Sequence, residues 1–213
     1  MLQKDKIDFI ISELGTLFPD AKCELNYKNI YELSIAVILS AQTTDKAVNL
    51  VTPELFRKYS TITSLAKAKK EDVSKIIKHI GMYDKKSEYI INFSKTIVNN
   101  YNGIVPNTIE ELTKIPGVGS KTANVIVSEG YHLPGLAVDV HVARCANRLG
   151  LVNEKDPNKI EISLKQMFPK ELWHIMHHRF IFMGRYLCKA KNPLCTNCPF
   201  ANICTYQNEK SSL

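Results

Sequence analysis

The sequence predicts an all-α protein, and three observations carry that reading. Apolar residues recur at three- and four-residue spacings in stripe after stripe. Capping residues, prolines and glycines punctuate the stripes at their ends. No stretch alternates with period two for long enough to make a strand. The 213 residues suffice for one domain or two small ones with a real core. A content of 45% hydrophobic and 23% charged residues is ordinary for a soluble globular chain, and no repeat or low-complexity segment interrupts it.

Residues 4–18 place Ile7, Ile10, Ile11, Leu14 and Leu17 on one stripe, which predicts a helix ended by Pro19. Ile30 to Ala41 is apolar nearly all round and reads as the buried central helix of a bundle. Asp45 is the expected cap of a helix with Val48 and Val51, and Pro53 the start of another short one with Leu55 and Phe56. Val73, Ile76, Ile77 and Ile80 form the next stripe, closed by Gly81; Ile90, Phe93, Ile97 and Tyr101 form another before Gly103. Leu112 to Ala123 then reads as a short helix, a Pro-Gly-Val-Gly turn and a second helix running through Val125 and Val127. Thr108 and Glu111 have capping-box spacing for the first, and Ser120 is the expected cap of the second. Asp139 precedes a helix with Val142, Ala143, Ala146 and Leu149 that stops at Gly150. Asp156-Pro157 opens one with Ile160, Leu164 and Phe168, and Leu172 to Leu187 gives the last long helix. The tail after Cys204 is expected to be loose.

Lys plus Arg number 28 against 21 Asp plus Glu, giving a net charge of +7. That balance favours a polyanionic partner. The N-terminal residues lack the apolar core of a signal peptide, and Ile30 to Ala41 is too short to span a bilayer. A cytoplasmic protein without a membrane partner is therefore expected.

Four constellations can carry chemistry. Gly117, Val118 and Gly119 form a turn beside a helix N-terminus, where backbone N–H groups hold a phosphate without reading sequence. An ordinary helix–helix turn would use the same residues, but the basic balance favours the phosphate. Lys121 follows in the first turn of the second helix. To attack a carbon its amine must be neutral, and at a reference pKa only ~1 lysine in 2,500 is neutral at pH 7. Burial and the positive end of a helix dipole both favour the neutral form, so the placement suits a nucleophile. Asp139 stands 18 residues further on, where capping would fix its carboxylate in the ionised form. A held carboxylate can stabilise a cationic sugar-like transition state or move a proton. His141 beside it is a candidate phosphate or backbone contact, although a half-buried packing role is commoner. Cys188, Cys195, Cys198 and Cys204 place four thiols within 17 residues, a strong metal signal. Four thiolates suit zinc or an iron–sulfur cluster, and the uneven spacing is not that of a zinc ribbon. Lys189 and Lys191 lie inside the first loop, where a metal knot could present them to a phosphate backbone. Cys23 and Cys145 stand alone and read as small buried hydrophobes.

Together these motifs resemble the endonuclease III family of DNA base-excision glycosylases. The likeness is carried by Leu-x-x-Ile-Pro-Gly-Val-Gly-x-Lys-Thr-Ala at 112–123, Val-Asp-x-His-Val at 138–142 and the four-cysteine loop at 188–204. Leu39 to Asp45 and Ile80-Gly-Met-Tyr83 also look like family segments, so the resemblance spans nearly the whole chain. It implies two helical subdomains with a DNA-binding cleft between them. One is a six-helix barrel at 23–132 containing the helix-hairpin-helix. The other combines 1–22 with 133–213 and includes the [4Fe–4S] loop at 188–204. It further implies Lys121 as nucleophile, Asp139 as supporting carboxylate, the four cysteines as cluster ligands, and Gln42 and Met82 as fillers of the gap left by an extruded base. Met82 stands where the family more often has Leu, Val140 where Thr is common, and Met183 where a His often precedes Gly184.

The activity so implied is bifunctional. An N-glycosylase removes oxidised or ring-saturated pyrimidines, and a lyase cuts 3′ of the abasic site through a lysine Schiff base. The expected partner is double-stranded DNA with a damaged base or an abasic site, met by a monomer in the nucleoid. Two alternatives stand beside it: an adenine-mismatch glycosylase of the same superfamily, and a non-catalytic DNA-binding module. The first normally lacks a lysine at the position of Lys121 and carries an extra C-terminal domain. Trapping an adduct on abasic DNA separates the second from an enzyme.

Overall fold

The computed structural model describes residues 3–210, with side chains to residue 207. Among the described residues every regular element is helical. The chain divides into two compact units, Met1–Cys23 with Pro134–Leu213, and Glu24–Leu133.

The second of these is built on α2 (Ile30–Ser40), whose residues Glu32 to Leu39 are all buried. Asn29 caps it by accepting from the Glu32 N–H at 2.9 Å. Around it lie α3 (Asp45–Lys58), α4 (Ile62–Ala66), α5 (Lys70–Ile77), α6 (Tyr83–Asn100), α7 (Ile109–Thr113) and α8 (Ser120–Tyr131). Helix α2 packs directly on α3, α6 and α8. At α8 the approach is close: a Cβ on Gly130 would stand 3.1 Å from a Leu33 methyl, which would have to shift by a few tenths of an ångström to admit one.

Several elements depart from the sequence expectation. Helix α3 is capped by Thr44, which accepts from the Ala47 N–H at 3.2 Å; Asp45 is its first residue. It also runs unbroken through Pro53. The buried stripe of Val48, Val51, Thr52 and Leu55 continues across the proline. Pro53 itself is exposed, so water can meet the carbonyl that loses its partner. Helix α4 was not signalled by a long stripe. A capping box holds it, with Thr61 and Ser64 each bonding the other's backbone N–H. Helix α5 ends at Ile77, and Gly81 does not close it; the left-handed residue is Met82, at φ 58°.

The other unit is formed by α1 (Gln3–Leu17), α9 (Val140–Arg148), α10 (Pro157–Met167), α11 (Trp173–Phe182) and α12 (Thr205–Lys210). Ile10, Leu14, Val142, Cys145, Ala146, Ile160, Leu164, Met176, Phe180 and Phe200 are fully buried in one core. The long C-terminal helix expected over 172–187 is three pieces. A 3₁₀ turn at Lys170–Leu172 leads into α11, which widens into a π-turn at Met183–Leu187. Packing is close there: a Cβ on Gly184 would meet His141 Cβ at 2.7 Å, and the Gly184 carbonyl accepts from Arg144 Nη2 at 2.8 Å. The chain after Cys204 is not loose through 210. Thr205 Oγ1 donates to the Arg148 carbonyl at 3.0 Å, and the Arg148 guanidinium lies 4.1 Å from the Tyr206 ring centre. Residues 211–213 lie outside the described ones.

Candidate active site

Six of the expected site residues, Gln42, Met82, Gly117, Val118, Gly119 and Lys121, belong to the unit Glu24–Leu133. The hairpin is anchored from below by Ile115 and Val118, both buried, with the Val118 N–H donating to the Ile115 carbonyl at 3.0 Å. Pro116, Gly117, Gly119, Ser120 and Lys121 stay exposed. Val118 is buried as a whole residue and anchors the turn, while its two neighbouring glycines are exposed. Gly117 sits at φ +88°, where an added Cβ would also stand 3.2 Å from the Tyr89 ring. Gly119 is not left-handed; it is the N-cap of α8, at φ −85°. Ser120 is therefore the first helical residue and not the cap, and no side chain caps α8. The first turn of any helix presents N–H groups beyond its own backbone ladder, which suits an anion at that end. Thr108 does cap α7, but Glu111 completes no box: its carboxylate accepts from Tyr101 and Lys114 instead.

Lys121 is the second residue of α8 and its side chain is exposed. Its place in the first turn of α8 does not bury it. Gln42 and Met82 are both exposed and both left-handed, at φ 54° and 58°. For non-glycine residues that conformation is uncommon and concentrates where structure presents a side chain for use.

Asp139, His141, the four clustered cysteines, Lys189 and Lys191 belong to the other unit. Asp139 caps α9: one carboxylate oxygen accepts from the N–H groups of His141 and Val142, both at 2.8 Å. The carboxylate is half-buried and fixed by the backbone it caps. His141 is half-buried, its Nδ1 3.1 Å from Arg144 Nη2, and burial lowers its pKa. Val140, between them, is 72% exposed.

Cys188, Cys195, Cys198 and Cys204 line one cavity together with Arg148, Leu149, Met183 and Leu194. Arg148 ties the loop down, donating through Nη1 to the Lys189 carbonyl at 2.8 Å and through Nη2 to the Ala190 carbonyl at 3.2 Å. The same Nη1 lies 3.5 Å from Cys188 Sγ. Cys188 is pushed down to about 6, first by a hydrogen bond with the Cys145 thiol and then by Arg148. Cys145 is buried as expected, and its partnership with Cys188 pushes it up; Cys23 is only half-buried. Four thiols around one small space, beside a guanidinium that offsets thiolate charge, fit an iron–sulfur cluster. Lys189 and Lys191 are exposed on the loop that Arg148 holds.

Sequence reasoning missed Lys86, which is 2% exposed. The signal was available, because Lys86 occupies a position of the α6 stripe four residues before Ile90.

A helical fold with a phosphate-suited hairpin and a four-cysteine loop defines a class, the DNA base-excision proteins of the helix-hairpin-helix type. The family model described as HhH-GPD superfamily base excision DNA repair protein matches residues 35–170. The iron–sulfur binding domain of endonuclease III matches residues 188–204. Endonuclease III of Bacillus subtilis is 45% identical over 205 residues, 96% of this chain and 94% of the relative. Endonuclease III of Rickettsia felis is 43% identical over 203 residues, 93% of this chain and 95% of the relative. Among solved structures, a non-covalent endonuclease III–DNA complex superposes with TM-score 0.95 at 43% identity, covering 100% of both chains. A trapped endonuclease III–DNA covalent intermediate superposes with TM-score 0.94 at 43% identity, covering 99% of this chain and 100% of that one. The chain belongs to the endonuclease III family. It is a DNA glycosylase and abasic-site lyase that carries a [4Fe–4S] cluster. No described helix is long and apolar enough to cross a membrane.

Proposed function

We propose that Lys121 is the nucleophile of this enzyme and that its substrates are oxidised or ring-saturated pyrimidines in double-stranded DNA. A base inside a duplex shields its sugar carbon, so the nucleotide must first leave the stack. Extrusion costs a few kcal/mol, less for a lesion that stacks badly. Gln42 and Met82 enter the vacated space and offset part of that cost. The backbone of Gly117, Val118 and Gly119 and the first turn of α8 grip a phosphate, while His141, Lys189 and Lys191 add backbone contacts.

The Lys121 amine attacks C1′. The N–C1′ bond forms as the glycosidic bond breaks, and the base departs with a proton. Opening of the sugar ring gives a protonated Schiff base at C1′. That cation acidifies the C2′ hydrogen; its removal expels the 3′ phosphate by β-elimination and cuts the strand. Asp139, ionised and fixed as a cap, stabilises positive charge on the sugar and relays the protons of the amine. The cysteine loop takes no part in these steps. Held by Cys188, Cys195, Cys198 and Cys204, the cluster supplies a four-point cross-link that shapes the basic loop. We further propose that the units at 23–132 and at 1–22 with 133–213 are the barrel and cluster domains of the family, and that the enzyme acts as a cytoplasmic, nucleoid-associated monomer.

One observation carries the reading: a lysine stands in the first turn of a helix that no side chain caps, just after an exposed glycine turn. The trapped covalent DNA intermediate of a 43%-identical relative supports it. Borohydride treatment on abasic duplex should freeze a covalent adduct with the wild type and none with Lys121→Gln. An adduct persisting in that variant removes Lys121 from the role.

A further inference from the structure

We propose that Lys86 is a positioning residue that locks together the two loops presenting Gln42 and Met82, so that both side chains stand ready to enter a duplex. The inference rests on the gap-filling reading of those two residues.

Lys86 lies in the first turn of α6 and reaches both loops. Its backbone N–H donates to the Met82 carbonyl at 2.9 Å, the first hydrogen bond of the helix, and thereby holds the left-handed Met82 at the helix entry. Its ammonium donates to Thr43 Oγ1 at 2.5 Å. Thr43 follows the left-handed Gln42, and its own N–H donates to the Ser40 carbonyl at 3.0 Å, closing the turn after α2. Thr43 Oγ1 also lies 4.0 Å from where a Cβ on Gly81 would stand, so the two loops meet at this hydroxyl. Lys86 therefore links two segments about 40 residues apart, its side chain reaching one and its backbone N–H the other, each segment presenting an exposed side chain at positive φ.

Stability does not explain this lysine. Burying an ammonium against one hydroxyl is unfavourable, and burial does lower the Lys86 pKa. The stripe position would accept an apolar residue at no loss of packing. A rigid strut has a use: a loop already ordered in its inserted conformation enters DNA without a further loss of conformational freedom. With Lys86 removed, Gln42 and Met82 remain present but move independently.

Single-turnover excision of dihydrothymine tests this in two settings, a fully paired duplex and the same lesion in a one-base bulge, which has no opposing base to leave unpaired. Lys86→Met should be about tenfold slower on the paired duplex, equal to ~1.4 kcal/mol, and close to wild type on the bulge. Thr43→Val, which deletes only the acceptor, should show the same split, and Lys86→Arg should restore much of the paired-duplex rate. Wild-type rates for Lys86→Met in both settings, or equal slowing in both, overturn the proposal. The double variant Gln42→Ala/Met82→Ala separates the two levels. If it excises from the paired duplex at the wild-type rate, the gap-filling reading itself fails; if it is slow while Lys86→Met is fast, only the strut fails. Should Lys86→Met not fold, Thr43→Val carries the comparison.

Discussion

Lys121 and Asp139 illustrate how far a residue's type and its place differ as evidence. Lysine and aspartate are common on helix surfaces, and neither would be singled out by type. Place makes them candidates: one is the second residue of a helix capped by a glycine, the other a cap whose carboxylate is held by two backbone N–H groups. Capping and chemistry can be separated at Asp139. Asparagine caps nearly as well, so Asp139→Asn should keep the thermal midpoint near wild type while slowing single-turnover excision about a hundredfold or more. Asp139→Ala should add a stability loss of ~1 kcal/mol from the missing cap. An Asn variant with unimpaired excision would leave Asp139 as a cap alone. The residue scale is also where the sequence was misleading. It signalled Asp45 and Ser120 as caps, yet Thr44 and Gly119 hold those places, because a cap is fixed by where the backbone leaves the helix. Spacing does not record that to a single residue.

At the scale of elements, the hairpin depends on one left-handed glycine and not on two. Gly117 is at φ +88° with the Tyr89 ring against it, whereas Gly119 is at φ −85° with open space around it. Gly117→Ala should therefore destabilise the protein by about 1–2 kcal/mol and weaken duplex binding. Gly119→Ala should cost less than ~1 kcal/mol. Urea unfolding of the two variants compares them directly, and equal losses would contradict the account. The long helices were legible because their stripes are long, as in α1 and α6. Helix α4 is five residues and owes its existence to a capping box, which a stripe search passes over. Helix α3 was cut at Pro53 because local propensity says so, but a continuous buried face overrode the proline. The π-turn at Met183–Leu187 packs on His141 and Arg144, residues some 40 positions away that no local pattern brings into view. Lys86 is half legible: its place on the α6 stripe flags an unusual lysine, but its partner Thr43, 43 residues away, is recorded nowhere near it in the chain.

For the whole molecule, the net charge of +7 and the cysteine loop set what should be seen in bulk. The purified protein should be yellow-brown, with about four irons and four sulfides per chain. Colourless protein with a single zinc would contradict the cluster. Neutralising Lys189 and Lys191 together should weaken duplex binding and make its salt dependence shallower by up to about 2 in log–log slope, with single-turnover rates little changed. An unchanged slope would mean that both lysines are merely solvated. The central claim remains the covalent one, that a single amine displaces the base. Its most direct measurement is peptide mapping of the borohydride-trapped adduct formed by the cluster-loaded enzyme on a duplex with one dihydrothymine. The account requires the added mass of the reduced sugar on Lys121; the same mass on another lysine, with Lys121 unmodified, would contradict it.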